Sequence, residues 1–412
     1  MQNPYELLKN TKKVILAYSG GLDTSVLVTW LKEQGVAEVI CVAGNVGQIS
    51  DPEALEEKAL KTGASKFYCP DLAEEFLDDY VFPTLQAGAK YENVYLLGTA
   101  SARPVIAKSL VEIARKENTD VIVHGCTGKG NDQVRFELTI NALAPEMKVV
   151  APWRFWDIKG RSQEIDYAEA HNIPLEFSRD EDYSMDENLW HLSHEGLDLE
   201  DPANAADLDK ILHWITPPEK APDQAEIVEI EFVQGKPVGL NGQKMSSVEL
   251  VAKLNDLGSK YGIGIDDIVE SRLVGMKSRG VYENPAGSIL YFAHQKLESI
   301  TVEADTLHFK LSIAHKYAEL VYYGKWENTL RRSLAAFVAE TQKFVTGTVK
   351  VKLYKGSMQP AGLSSPYSLF DESYATFEQD DVFDHADADG FIRLFGLSSK
   401  IQAMLQKEKN DS

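Results

Sequence analysis

The chain is poor in cysteine, and its three cysteines form no recognisable framework. Among 412 residues, Cys41, Cys69 and Cys126 offer neither a CxxC pair nor a zinc-binding spacing with histidine. A sparse, odd count is typical of a reducing compartment. No apolar run approaches the roughly 20 residues of a membrane span, and residues 1–13 lack the apolar core of a signal peptide. We therefore expect a cytoplasmic protein that does not cross a membrane.

Positive charge is also scarce. The chain has 42 lysines and arginines against 63 aspartates and glutamates, for a formal net charge of −21. Such a surface repels nucleic-acid phosphates and anionic membranes, so neither is expected as a partner. A small anionic ligand remains compatible, because one pocket can still be positive. The length favours two to three domains.

Residues 1–176 alternate short apolar runs with helical patterns, which is typical of a parallel sheet covered by helices. Strands are predicted at 14–17, 39–42, 67–69, 121–123 and 149–150, and helices at 24–34, 52–62 and 102–116. This pattern predicts a doubly wound α/β nucleotide-binding domain. Ligands of such sheets bind beyond the carboxyl ends of the strands.

The pattern changes after residue 176. Residues 178–201 are polar and show no clear periodicity, whereas strands are predicted at 226–233 and 348–353 and helices at 247–257, 285–298, 305–322 and 327–343. Residues 177–369 are therefore predicted to form a second, α+β domain. Residues 370–412 are predicted to be a tail, with a polar turn at 380–390 before a strand and an amphipathic helix at 397–407.

The loop Ser19-Gly20-Gly21-Leu22-Asp23-Thr24-Ser25 joins the first strand to a helix. Its glycines let backbone N–H groups approach an anion, its hydroxyls add donors, and the helix N-terminus adds partial positive charge. Neither a Walker A lysine nor a GxGxxG dinucleotide fingerprint is present. Asp23 suits a divalent cation bridging phosphates, or else it merely caps the helix. The string resembles the pyrophosphate-binding loop of ATP pyrophosphatases.

A second glycine-rich loop, residues 124–136, again joins a strand to a helix. If the helix starts near Asn131, then Asn131 and Arg135 share one face with Asp132 beside them. Arginine can bind a carboxylate with two hydrogen bonds, and aspartate and threonine can bind an ammonium, so the group suits an amino acid. For an isolated pair of charges, a solvated surface turn would be the better interpretation.

Several motifs together resemble the argininosuccinate synthase family. They are Ala17-Tyr18-Ser19-Gly20-Gly21-Leu22-Asp23-Thr24-Ser25, the run from Gly125 to Phe136, Tyr95-Leu96-Leu97-Gly98-Thr99 with Ala102-Arg103-Pro104, Asn188-Leu189-Trp190, Val269-Glu270-Ser271-Arg272 and the run from Gly275 to Glu283. The resemblance covers essentially the whole chain. It implies a carbon–nitrogen ligase of arginine biosynthesis that joins citrulline and aspartate with ATP and Mg²⁺, and releases AMP and pyrophosphate. It also implies a homotetramer.

The resemblance assigns substrates to individual positions. ATP is assigned to Ala17, Tyr18, Ser19, Gly20, Gly21, Leu22, Asp23, Thr24, Ser25, Gly44 and Gly125, aspartate to Thr127, Asn131 and Asp132, and citrulline to Tyr95, Ala100, Asn131, Arg135, Ser184, Ser193, Glu270 and Tyr282. Asp23, Asp132 and Arg135 are the residues expected to matter most for catalysis. The family pattern has alanine at Gly44, commonly serine at Ala100 and arginine at Ile265. Mg²⁺ is expected to be carried by the ATP phosphates, and no other metal site is expected.

Two other functions share the same loop. A tRNA-modifying adenylase would need a basic face for RNA and usually a reactive cysteine pair, and the composition offers neither. A non-catalytic nucleotide-binding homologue would keep the loops without the reaction. His191 and His194 are spaced like a metal pair, but HEXXH is absent and no third ligand is evident, so zinc is not expected.

Overall fold

A computed structural model describes residues 3–410, except 129, 159, 175–182, 377–381 and 383. Two compact units are present, residues 1–367 and residues 368–412. Lys129 of the second loop and the predicted domain boundary at residue 176 lie outside the described residues.

The first sheet is five-stranded and parallel, with strand order β3-β2-β1-β4-β5. Its strands are β1 (Lys13–Ala17), β2 (Glu38–Val42), β3 (Lys66–Tyr68), β4 (Val121–Val123) and β5 (Lys148–Val150). Alternate residues enter two separate cores: Ile15 packs in one, whereas Val14 and Leu16 pack in the other. Because both faces are covered, the strands are apolar apart from the charged residues that begin β1, β2, β3 and β5. The predicted doubly wound sheet is confirmed.

Eight helices accompany this sheet within the described part of residues 3–174. They are α1 (Pro4–Lys9), α2 (Leu22–Glu33), α3 (Pro52–Thr62), α4 (Ala73–Glu75), α5 (Phe82–Gln86), α6 (Gly98–Lys116), α7 (Asp132–Leu143) and α8 (Arg161–Ala170). A π-helical segment, Phe76–Val81, joins α4 to α5. Helix α6 starts four residues before its predicted start at 102, which places Thr99 on its first turn.

Two further sheets lie in residues 183–367. One has the order β10-β9-β8-β13-β14 and the other the order β11-β12-β7-β6, and both are antiparallel. The strands are β6 (Ser184–Asn188), β7 (His191–Glu195), β8 (Glu226–Val233), β9 (Lys236–Leu240), β10 (Gln243–Lys244), β11 (Ile265–Ser271), β12 (Lys277–Glu283), β13 (Gly347–Tyr354) and β14 (Ser357–Ser364). The strands predicted at 226–233 and 348–353 are confirmed. The β6–β7 hairpin falls in the stretch that showed no periodicity.

The helices of this region are α9 (Leu208–Ile211), α10 (Ser247–Lys260), α11 (Pro285–Thr301), α12 (Ala304–Tyr322) and α13 (Thr329–Thr341). Of these, α10 and α11 pack on the sheet that contains β8 and β14, whereas α12 and α13 pack on each other and on helices α6 and α5. A capping box starts α10, since Ser246 accepts from the Glu249 N–H and Glu249 accepts from the Ser246 N–H. The four predicted helices are confirmed, with ends shifted by up to three residues.

The second unit contains α14 (Glu372–Ala375), α15 (Asp387–Phe395) and α16 (Leu397–Asn410). The strand predicted after a polar turn is wrong, because residues 387–395 form a helix. Asp387 and Asp389 lie in its first turn, where negative charge complements the helix dipole. The predicted amphipathic helix at 397–407 is confirmed. Among the described residues, no helix has the length and apolar character needed to span a bilayer.

Candidate active site

The loop after β1 forms an anion cradle at the start of α2. Gly20 has a φ of +78°, and a Cβ at this position would lie 2.4 Å from Leu55 Cδ1, so the turn requires glycine. Gly21 precedes the helix without a capping side chain, which leaves the first-turn N–H groups for a ligand. Ser19 Oγ lies 3.2 Å from Thr24 Oγ1 and brings two hydroxyls to the same place. This arrangement suits a phosphate.

A cavity of about 1000 Å³ opens over this loop. Its walls include the predicted ATP and aspartate positions Ala17, Tyr18, Ser19, Gly20, Gly21, Leu22, Asp23, Thr24, Gly44, Gly125, Thr127 and Asp132. The two glycine-rich loops therefore share one cavity at the carboxyl ends of β1 and β4. Ser25 does not line the cavity, because its side chain is buried and its Oγ lies 3.4 Å from Tyr18 Oη.

Three charged side chains of the cavity wall, Asp186, Arg103 and Asp132, form a bonded row that Arg135 extends. Arg103 donates from Nε to Asp132 at 2.8 Å and from Nη2 to Asp186 at 2.9 Å. Arg135 donates from Nη1 to the other Asp132 oxygen at 2.9 Å. Burial would raise the pKa of Asp132, but the two arginines outweigh it and lower that pKa. Asp132 is therefore a fixed negative charge between two cations that can receive carboxylates.

Tyr322, the last residue of α12, joins three predicted site residues. Its Oη donates to Glu270 at 2.8 Å and accepts from Asn131 Nδ2 at 2.8 Å. Its carbonyl oxygen accepts from Arg135 Nε at 3.0 Å, and the guanidinium lies 4.9 Å from its ring centre. The ring of Tyr91 stacks on the ring of Tyr322, with 3.6 Å between the ring centres, and so holds Tyr322 in place. Asn131, Arg135 and Glu270 are thus brought together.

Glu270 is only 5% exposed, and its Oε2 has no hydrogen-bond partner among the described residues. Burial raises the pKa of Glu270 to about 7, although the Tyr322 hydroxyl and the Arg135 charge oppose the shift. A buried oxygen without a partner is costly. An ammonium group from a ligand would supply both the charge and the missing donor.

Four more of the predicted citrulline residues lie in or near the β6–β7 hairpin. Tyr95 and Tyr282 rings lie 5.1 Å apart, and Tyr282 pairs with Ser193 across β12 and β7. Ser193 is buried and its Oγ donates to the Asp186 carbonyl at 3.4 Å. Ser184 is exposed, two residues before Asp186 on β6. Tyr95, Ser193 and Tyr282 therefore line one region, with Ser184 at its outer end.

Two carboxyl groups face each other beside the phosphate loop. Asp23 lies in the first turn of α2 and hydrogen-bonds Glu164, which lies in the first turn of α8. Burial raises the pKa of Asp23, and burial together with the Asp23 charge raises the pKa of Glu164 to about 9. The pair therefore holds a proton at neutral pH.

Comparison with known proteins assigns the whole chain to one family. Residues 13–174 match the family described as "Arginosuccinate synthase N-terminal HUP domain", and residues 183–402 match "Arginosuccinate synthase C-terminal domain". The chain belongs to the argininosuccinate synthase family. The resemblance drawn from the motifs is therefore confirmed.

Curated relatives carry the same family name along their full length. The chain is 59% identical to the argininosuccinate synthase of Acetivibrio thermocellus over 403 residues, which are 98% of this chain and 99% of the relative. It is 60% identical to that of Carboxydothermus hydrogenoformans, over 96% of this chain and 98% of the relative. It is 56% identical to that of Clostridium perfringens, over 98% of this chain and 100% of the relative.

Three positions depart from the family pattern, and the structure shows their surroundings. A Cβ at Gly44 would lie 3.0 Å from both Leu72 and Ile106, so those two side chains fill the space that an alanine would need. Ala100 is fully buried and offers only a methyl group, so it has no hydrogen bond to give a substrate. Ile265 begins β11 and packs partly buried against a small core cluster.

Other residues of the site carried no assignment from the sequence. Arg103 belongs to the family motif Ala102-Arg103-Pro104, but the resemblance assigned it no substrate. It is one of the few charged residues in α6, which is mostly apolar. Asp186 and His191 lie in the stretch without periodicity. His191 is buried at 2.9 Å from Thr99 Oγ1, and burial lowers its pKa to about 4, so it is neutral.

The two histidines contact different partners. His194 Nε2 lies 2.8 Å from Glu283 Oε1, whereas His191 Nε2 lies 2.9 Å from Thr99 Oγ1. No cluster of three potential ligands occurs in the described part of the chain.

Proposed function

We propose that the protein ligates citrulline to aspartate with ATP, giving argininosuccinate, AMP and pyrophosphate, as a step of arginine biosynthesis. The observation that carries the proposal is the meeting of both glycine-rich loops in one cavity, with Arg103 and Asp132 on its wall and Arg135 bonded to Asp132. The full-length match to argininosuccinate synthases supports this reaction over that of a tRNA-modifying adenylase. The test is whether purified protein releases pyrophosphate only when citrulline is present. A non-catalytic homologue would release none.

The reaction requires two steps on one nucleotide. In the first, the ureido oxygen of citrulline attacks the α-phosphorus, a new P–O bond forms, and the bond to pyrophosphate breaks. In the second, the aspartate amine attacks the ureido carbon, and AMP leaves. No protein nucleophile is needed, so the residues act by positioning and by charge.

Each substrate has chemically suitable partners. Residues 19–24 hold the phosphates, with the N-terminus of α2 at their centre. Arg135 would hold the citrulline carboxylate and Glu270 its ammonium. Thr127, Asn131 and Asp132 would bind aspartate. Asp23 suits the Mg²⁺ that accompanies ATP, because magnesium prefers carboxylate oxygens. Bound Mg²⁺ would neutralise phosphate charge.

Citrulline binding should strengthen as pH rises from 6 to 8. The raised pKa of Glu270, about 7, means that this carboxyl is mostly protonated at pH 6 and mostly ionised at pH 8. Only the ionised form pairs with an ammonium, and such a contact is worth about 1.5–3 kcal/mol. We expect KM for citrulline in pyrophosphate exchange to fall by up to about tenfold over this range, the change in the ionised fraction of a group with this pKa.

The Glu270→Gln variant should have a high citrulline KM with no such pH dependence. Glu226→Gln is the matched control, since Glu226 also accepts a tyrosine hydroxyl, from Tyr261 at 2.8 Å, but its pKa is lowered. It should keep the parent profile. If Glu270→Gln keeps that profile too, another group titrates.

We also propose a cytoplasmic homotetramer in which the second unit makes contacts between subunits. Helices α15 and α16 bury none of their residues, and Phe391, Leu394 and Phe395 are each at least 64% exposed. Apolar faces of this kind usually meet a partner. The three cysteines are all free thiols, which suits a reducing cytoplasm.

Removing residues 370–412 should therefore lower the mass of the assembly measured by light scattering. The reason is that the apolar faces of α15 and α16 would no longer hold subunits together. A double variant, Leu394→Glu with Phe395→Glu, should do the same without shortening the chain. An unchanged number of subunits in both proteins would contradict this role.

A further inference from the structure

The buried pair of Asp23 and Glu164 has a carboxyl oxygen that no group of the described protein hydrogen-bonds. Glu164 is 1% exposed, and one of its oxygens, Oε1, has no hydrogen-bond partner among the described residues. Its other contact is Asp23, across the start of two helices. The unpartnered oxygen of Glu164 and the neighbouring carboxyl group of Asp23 together offer oxygen ligands to a cation.

The location of the pair makes that charge relevant to the nucleotide. Asp23 and Glu164 both line the cavity that holds the phosphate loop. The cavity would take a polyphosphate, and two carboxylates beside phosphates repel them. Lys58, Arg103 and Arg161 also line the cavity, and Arg103 is already paired with Asp132 and Asp186. A divalent cation would neutralise the pair and attract the phosphates at once.

The first turn of α8 supports the same assignment. Gly160 precedes this ten-residue helix with no side-chain cap, and Arg161 is exposed beside the cavity. The first turns of α8 and α2 are therefore adjacent, since Glu164 of the one contacts Asp23 of the other. Oxygen ligands from two rigid helices, completed by phosphate oxygens and water, are the arrangement that Mg²⁺ and Mn²⁺ prefer.

We propose that Glu164 is the second protein ligand, beside Asp23, of the divalent cation that accompanies the ATP phosphates. The proposal rests on the proposed function, because it requires a nucleotide in this cavity. Glu164 thereby becomes a metal-binding residue supplied by α8, outside both glycine-rich loops.

The test is Mn²⁺ binding by electron paramagnetic resonance on the full chain, with the ATP analogue AMP-PNP and without citrulline, so that the α–β bond of the nucleotide stays intact. Glu164→Gln is the informative variant, because the amide can still donate to Asp23 and has the same volume. We expect its Mn²⁺ affinity in the ternary complex to fall by about 10- to 100-fold, the range that loss of a supporting metal contact produces. Asp166→Asn, exposed on the same helix, is the control and should bind Mn²⁺ like the parent.

The outcomes separate the inference from the proposed function. AMP-PNP binding with EDTA present should be retained in Glu164→Gln, because the amide keeps the volume of the side chain and its hydrogen bond to Asp23. Parent protein that binds no AMP-PNP would contradict the nucleotide site itself. Equal Mn²⁺ affinity in parent and Glu164→Gln, with AMP-PNP bound to both, would overturn the assignment of Glu164. A Glu164→Asp variant that regains part of the affinity would support ligation, whereas a purely structural role would give no such recovery.

Discussion

Arg135→Leu should abolish citrulline-dependent exchange of labelled pyrophosphate into ATP, together with argininosuccinate formation. Arg135 is buried beside Asp132 and Tyr322, where its guanidinium would hold the citrulline carboxylate before adenylation. Loss of a charge-assisted contact of this kind costs about 2–4 kcal/mol, or roughly 30- to 1000-fold in rate. Asp132→Ala should instead keep the exchange and lose synthesis, because aspartate enters only after the adenylate has formed.

Arg331 serves as a control that distinguishes a loss of activity from a loss of stability. Arg331 also donates from Nε to a backbone carbonyl, that of Trp326 at 2.6 Å, and its guanidinium lies 4.1 Å from the Trp326 ring centre. Arg331→Leu should lose stability without losing exchange per folded molecule. If Arg135→Leu and Asp132→Ala lose exchange and synthesis in parallel, then Asp132 organises the whole loop rather than binding the second substrate alone.

Asp23→Asn should lower kcat/KM for ATP by roughly 30- to 1000-fold, since it weakens the organisation of cation and phosphates. Circular dichroism should show an intact fold, because asparagine can still hydrogen-bond Glu164. Asp305→Asn is the control: Asp305 is exposed in the first turn of α12, where an acid contributes only through the helix dipole. A decrease of only a few-fold in Asp23→Asn, similar to that of the control, would leave Asp23 as a helix cap.

The elements that the sequence predicted share a strong local pattern. Strand β1 is a run of buried apolar residues, and β8 alternates buried and partly exposed positions over Glu226–Val233, where it was predicted. The hairpin of β6 and β7 was missed because its strands consist largely of polar residues. Their hydrogen bonds are to Thr99, Arg103 and Glu283, which no local pattern indicates.

The residues of the candidate site also fall into those that a local sequence pattern predicted and those that it did not. The loop after β1 could be predicted because its glycines, hydroxyls and helix start are contiguous. The bonds from Arg103 to Asp186 and from Tyr322 to Glu270 span 83 and 52 positions, so their partners could not be predicted from spacing. Glu164 gave no signal either, because an acidic residue in a polar helix is ordinarily solvated. Its importance comes from burial against Asp23.

Through Tyr322, the substrate site depends on contacts between residues that are far apart in sequence. It bonds Asn131 across 191 positions and Arg135 across 187, and it stacks on Tyr91. Contacts between residues so far apart in sequence close large loops, which slows folding. A refolding chain should therefore recover helical circular dichroism before it recovers catalysis. A fragment that ends before α12 could hold the phosphate loop, but it would have no support for Arg135 and Glu270.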